Sequence, residues 1–125
     1  PLDHWAWRAP LRDREVADKM DEIARRARLA RGAVRQAERH DRAVERCLAE
    51  LDGLGSPSRP MAAFLLGRAW RHASRAQALV KLANWINQDP GAAPLLAASL
   101  ERQDRTTLRV TSWRSSLANV DQPDW

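Results

Sequence analysis

Between residues 12 and 52 the apolar side chains recur in alternating steps of four and three: Val16, Met20, Ile23, Ala27, Ala30, Val34, Ala37, then Val44, Leu48 and Leu51. This spacing draws one stripe on a helix of 3.6 residues per turn and does not match the two-residue repeat of a strand. It is a heptad seam, and only Asp41 breaks it. Gly32 lies off the seam and costs about 1 kcal/mol against alanine. A helix of about 38 residues is about 57 Å long. That exceeds the width of a compact domain of this size, so one end is expected to project or to pair with another chain.

The segment DGLGSPSRP, residues 52–60, ends the pattern with two glycines and two prolines. Ser58 suits an N-cap, and Pro60 suits the first turn of the next helix, where its missing N–H is not needed. Over 59–88 a second seam runs through Ala62, Leu65, Ala69, His72, Ala76, Leu79, Ala83 and Ile86. Two such helices joined by a short loop make an antiparallel hairpin, and the many alanines suit close approach.

Asp89-Pro90-Gly91 stops the second helix, and Pro94 opens a third through about Gln103. Asp104 is read as the cap of a fourth helix with Val110, Trp113, Leu117 and Val120 inward. The alternation in Thr-Thr-Leu-Arg-Val-Thr also fits a strand, but a lone strand has no partner elsewhere, so helix is preferred over 94–120. The expectation is a single all-α domain: a helical hairpin with a long first helix, and one or two shorter C-terminal helices forming a small bundle. Residues 1–11 form an N-terminal arm, with Trp5 and Trp7 folding back over the bundle end.

Catalytic chemistry has no visible carrier. His4, His40 and His72 lack partners at metal-ligand spacing, and Cys47 has no histidine pattern beside it. The glycines of GLGSPS lack the Gly-Lys-Ser/Thr ending of a phosphate loop. No metal or cofactor is expected, and the reading is not an enzyme. A single cysteine excludes an intrachain disulfide. No apolar run approaches the roughly 20 residues of a membrane span. The N-terminal stretch has no long apolar core of a secretory signal, so a cytoplasmic location is expected.

What remains is charge. The chain carries a formal net charge of +5. Much of its arginine is what an Ala/Arg-biased coding background produces, so the placement of charge says more than its total. Residues 1–24 carry four basic and six acidic side chains, residues 25–46 eight basic and three acidic, and residues 53–88 five basic and no acid. At 100° per residue Arg28, Arg31, Arg35, Arg39, Arg42 and Arg46 fall within an arc of about 80° opposite the seam and along about 27 Å of axis. A face shaped only for solubility would mix signs, because like charges four apart repel. Arg68, Trp70, Arg71 and Arg75 add cations and a stacking surface on the second helix.

Guanidinium groups pair with phosphates bidentately, and counterion release supplies affinity. The expected function is therefore non-catalytic binding of a nucleic-acid backbone, DNA or RNA, through these ten residues. The alternative is a protein-interaction module, a self-associating hairpin or an adaptor for an acidic partner. In type (small, basic, helical, without catalytic residues) the chain resembles small helical subunits of nucleoprotein assemblies, such as those of CRISPR effector complexes. That resemblance implies membership of a larger nucleoprotein complex. A membrane partner is not expected, since the Ala-rich seam offers little bulk to insert.

Overall fold

A computed structural model describes the backbone of residues 2–120 and the side chains of residues 12–117. Three long helices make up the bundle: α1 (Leu2–Gly53), α2 (Arg59–Ile86) and α3 (Ala93–Val120). There is no strand among the described residues, and the all-α hairpin-plus-bundle expectation is what the chain forms. At 52 residues α1 is about 78 Å long. The stretch expected to be a separate arm, residues 2–11, instead continues α1. The proposed clamp of Trp5 and Trp7 lies outside the described side chains, as does the inward position given to Val120.

The turn between α1 and α2 follows its residues. Leu54 N donates to Glu50 O and Gly55 N to Asp52 O, both at 3.2 Å, closing the last turn of α1. Gly55 then reverses the chain at φ +67°, a left-handed conformation that costs glycine nothing. Ser58 caps α2, its side-chain oxygen accepting from Met61 N at 3.4 Å, with Pro60 in the first turn. At the far end of α2 the Asn87 N–H closes on Ala83 O. Asp89 then accepts from Gly91 N at 3.0 Å, setting the short 3-10 turn Pro90–Ala92 that leads into α3.

The third helix runs without interruption. The break expected at Asp104 does not occur, and α3 is one helix of 28 residues. No Gly or Pro lies between Pro94 and Val120, so nothing local forces a stop. Asp104 sits on the surface of α3 and accepts from Gln77 Nε2 of α2 at 3.4 Å. The Thr-rich stretch stays helical because α3 packs on the bundle through Gln103, Thr106 and Val110. Two of its hydroxyls are satisfied along the helix, Thr106 donating to Arg102 O at 3.0 Å and Thr111 to Thr107 O at 2.8 Å.

Packing shows the direction of α3. Leu96 clusters with Ala30, Leu100 with Ala37, and Val110 with Val44, so α3 runs parallel to α1 and antiparallel to α2. The core is widest beside the 53–58 turn, where Val44, Leu48, Leu51, Leu65, Leu66 and Val110 are buried with Trp113 and Leu117 against them. It narrows to alanines in the middle, where Ala37 and Ala76 are fully buried with Val80. In α2 the buried line is Ala62, Leu66, Ala69, Ala73, Ala76, Val80 and Ala83, with Leu65 beside it. It departs from the expected seam at 72, 79 and 86, which are half-buried, because α2 serves α1 on one side and α3 on the other.

The first seam divides in two. From Ala27 to Leu51 it is core apart from half-buried Val34, with Asp41 included at 15% side-chain exposure. Before Ala27 it is bare: Val16 is 54%, Met20 64% and Ile23 37% exposed. Among the described side chains the bundle covers α1 from Ala27 onward, and the turns over residues 12–26 stand beyond it as an overhang.

Asp41 is the polar step in the buried part of that seam. Gln103 of α3, itself fully buried, donates from Nε2 to Asp41 Oδ2. Arg102 Nε lies 3.7 Å from the same oxygen. The other two oxygens, Asp41 Oδ1 and Gln103 Oε1, are buried and accept nothing among the described residues. Burial raises the Asp41 carboxyl above the ordinary carboxylate range, against the opposing pull of Gln103 and Arg102. The pair fixes the sliding position of α3 on α1, because a shift by one turn would leave Asp41 Oδ2 and Gln103 Nε2 without each other as well.

Candidate nucleic-acid interface

All six arginines of the α1 stripe are exposed. Their backs are the seam that holds α1 to the bundle, so the fold turns their guanidinium groups toward solvent. Among the described residues none of the six lies within 4.0 Å of a carboxylate. Other arginines do pair. Arg25 and Arg26 hold Glu22 at 2.7 and 2.9 Å, and their hydrogen bonds lower the Glu22 carboxyl to about 2. Arg102 approaches Glu38 at 3.8 Å, and Arg109 binds Glu45. Glu38, Asp41 and Glu45 are the three acids that interrupt the stripe in sequence, and all three turn to α3. The stripe is left un-neutralised.

The ten expected site residues do not form one surface. Arg46 of α1 and Arg68 and Arg75 of α2 gather around His72, where their charge is felt. There the rings of His40 and His72 meet with Nδ1 atoms 2.9 Å apart, bridging the two helices. One ring nitrogen must donate and the other accept, so at most one proton is shared between them. Burial, then His40, then the three arginines push His72 below its ordinary range. Arg46, Arg68 and Arg75 thus share one α1/α2 face, with His40 and His72 between them.

Arg31 and Arg35 go elsewhere. They line a groove of about 640 Å³ between α1 and α3, together with Arg102 and Arg105. Its floor is apolar, formed by Ala27, Ala30, Val34, Leu95 and Leu96. Trp70 is 38% exposed, and its ring is covered by the Arg114 guanidinium of α3 at 5.0 Å. It therefore stands on the α2/α3 side, paired with Arg114 instead of presenting a free face beside Arg71. Arg71 is exposed on α2. Arg68 also lies over the Phe64 ring at 5.8 Å, and Phe64 is 56% exposed, a second aromatic face next to the cluster.

Three contributors escaped the sequence reading: Arg102 and Arg105 in the groove, and Arg114 over Trp70. Extending the helical phase from Leu96 through Val110 without a break at Asp104 would have placed all three on α3. Among the described residues no three His, Cys, Asp or Glu side chains group as a metal site, and no helix is long and apolar enough to cross a membrane.

Compared with known protein families, curated proteins and solved structures, the chain matches none.

Proposed function

We propose that the protein binds a nucleic-acid backbone without reading its sequence, as a non-catalytic helical component of a larger nucleoprotein complex. One observation carries the reading: six exposed arginines follow one face of α1 with no carboxylate partner among the described residues, while other arginines of the same chain are paired. Leaving like charges at four-residue spacing unneutralised is mildly destabilising in the free protein. A polyanion removes that repulsion and gives each guanidinium a bidentate partner. The stripe, about 27 Å long at 1.5 Å per residue, matches about eight phosphate steps of 3.4 Å along one strand. Arg68 and Arg75 widen the surface beside Arg46, and Arg71 adds a further cation on α2. Trp70 and Phe64 can take part in stacking only at its margin.

The test is charge reversal at Arg39, Arg42 and Arg46, which lie outside the α1/α3 groove. All three are exposed, so the triple change to Glu leaves helical circular dichroism intact. Binding to single- and double-stranded oligonucleotides of mixed sequence is expected to fall at least a hundredfold. Unchanged binding by a folded triple variant refutes the proposal.

A further inference from the structure

Two surfaces of the molecule are unfinished, and each has what the other lacks. The first is the overhang of α1 before Ala27, which carries exposed Val16, Met20 and Ile23. Between residues 12 and 24 its charged side chains are three basic and five acidic. The second is the groove between α1 and α3, with an apolar floor and a rim of Arg31, Arg35, Arg102 and Arg105 against Glu38 and Asp89. On that floor Leu95 is 73% exposed. Apolar surface of this kind is normally covered by a partner.

We propose that the overhang of one copy of this chain lies in the α1/α3 groove of a second copy, and that the exchange is reciprocal, giving a closed two-fold dimer. Chain geometry allows both contacts at once. The overhang and the groove wall belong to the same helix, so two antiparallel α1 helices related by an axis near residue 25 place each overhang beside the other's groove. In that register Val16, Met20 and Ile23 of one copy run along the partner's groove over Val34, Ala30 and Ala27, where Val34 is half-buried and the two alanines form the groove's nearly covered floor. Every pair is apolar, and each matches an a position with a d position, as antiparallel heptads require. The acid-rich overhang then meets the arginine rim, and complementary charge fixes which helix enters the groove. An isologous contact of this kind closes on itself and does not propagate into fibres. Arg31 and Arg35 are thereby assigned to the dimer, leaving Arg28, Arg39, Arg42 and Arg46 to a polyanion. The dimer does not depend on nucleic-acid binding.

The mass of the full chain in solution, measured by sedimentation at concentrations up to about 100 µM, a range that covers weak association, is expected to be twice the 14.2 kDa of one chain. Met20→Glu with Ile23→Glu alters only exposed side chains and is expected to give a folded monomer with unchanged helical signal per residue. The chain carrying both Val16→Cys and Val34→Cys should join into covalent dimers with a short thiol cross-linker. Within one chain those positions are about 27 Å apart along the helix, and buried Cys47 keeps the parent protein unreactive. Three results overturn the proposal: a monomeric parent protein, a Met20→Glu/Ile23→Glu variant that stays dimeric, or no cross-link in the double cysteine variant. A monomer whose oligonucleotide affinity falls on Leu95→Glu would assign the groove to nucleic acid and also overturn it.

Discussion

Replacing Asp41 by asparagine should stabilise this protein at neutral pH, although it deletes a charge that an arginine approaches. In the native chain Gln103 donates to Asp41 Oδ2, while Asp41 Oδ1 and Gln103 Oε1 are buried and accept nothing. An asparagine amide in the same place accepts from Gln103 Nε2 and donates from its own nitrogen to Gln103 Oε1. One new hydrogen bond contributes about 1 kcal/mol, and relieving a buried orphan acceptor adds about as much again. The loss is the attraction of Arg102, 3.7 Å away and 45% exposed, which is under about 1 kcal/mol for a solvated cation. The balance is a gain of about 1–2 kcal/mol, or a rise in Tm of about 4–8 °C for a chain of this length.

The gain must also depend on pH in a defined direction. Burial raises the Asp41 carboxyl, so the folded state binds its proton more tightly than the unfolded chain does. That contribution to stability is fully present below the unfolded value near 3.9 and is lost as pH rises through the folded value. Protonated Asp41 can donate from Oδ1 to Gln103 Oε1, mimicking asparagine, so the two proteins should converge near pH 4 and diverge toward pH 7. Thermal unfolding of both, at one protein concentration and several pH values, reads this out. A lower Tm for Asp41→Asn at pH 7, or an equal difference at pH 4 and pH 7, refutes the reasoning.

The histidine pair predicts the opposite slope. His72 is held below its ordinary range by burial, His40 and three arginines, so stability is present above about pH 6.5 and is lost as pH falls through the lowered value. Tm of the parent protein is expected to drop between pH 7.5 and pH 5, and His72→Gln should flatten that drop; parallel curves contradict it. Gly32 sits inside α1 with nothing within 4 Å of an added Cβ. Gly32→Ala should therefore stabilise by about 1 kcal/mol, seen as a higher urea midpoint with unchanged slope. Leu48→Ala removes a side chain only 1% exposed and should cost about 2–5 kcal/mol in the same assay.

Much of this fold is legible in the chain because its signals are local and repeated. The heptad steps from Ala27 to Leu51, the DGLGSPSRP break and the Ser58 cap each name their structure. Periodicity has a blind spot, however. Val16, Met20 and Ile23 continue the same spacing as the core residues after them, and spacing says nothing about whether the partner surface belongs to the same chain. Asp104 misled for a related reason, since aspartate is equally at home as an N-cap and on a helix surface. Only its partner Gln77, 27 residues away, distinguishes the two. The arginine stripe was readable in direction but not in use, because its division between a groove and an open face depends on where α3 lies.

If the open arginine face of α1 binds phosphate, oligonucleotide affinity must fall steeply as salt rises. A site neutralising about four to six phosphates gives log K against log salt a slope of about −3 to −5. That slope should become shallower when Arg39, Arg42 and Arg46 are reversed to Glu. A slope near zero, or no binding even in about 50 mM salt, would leave the stripe as a solvated helix face with no phosphate to hold.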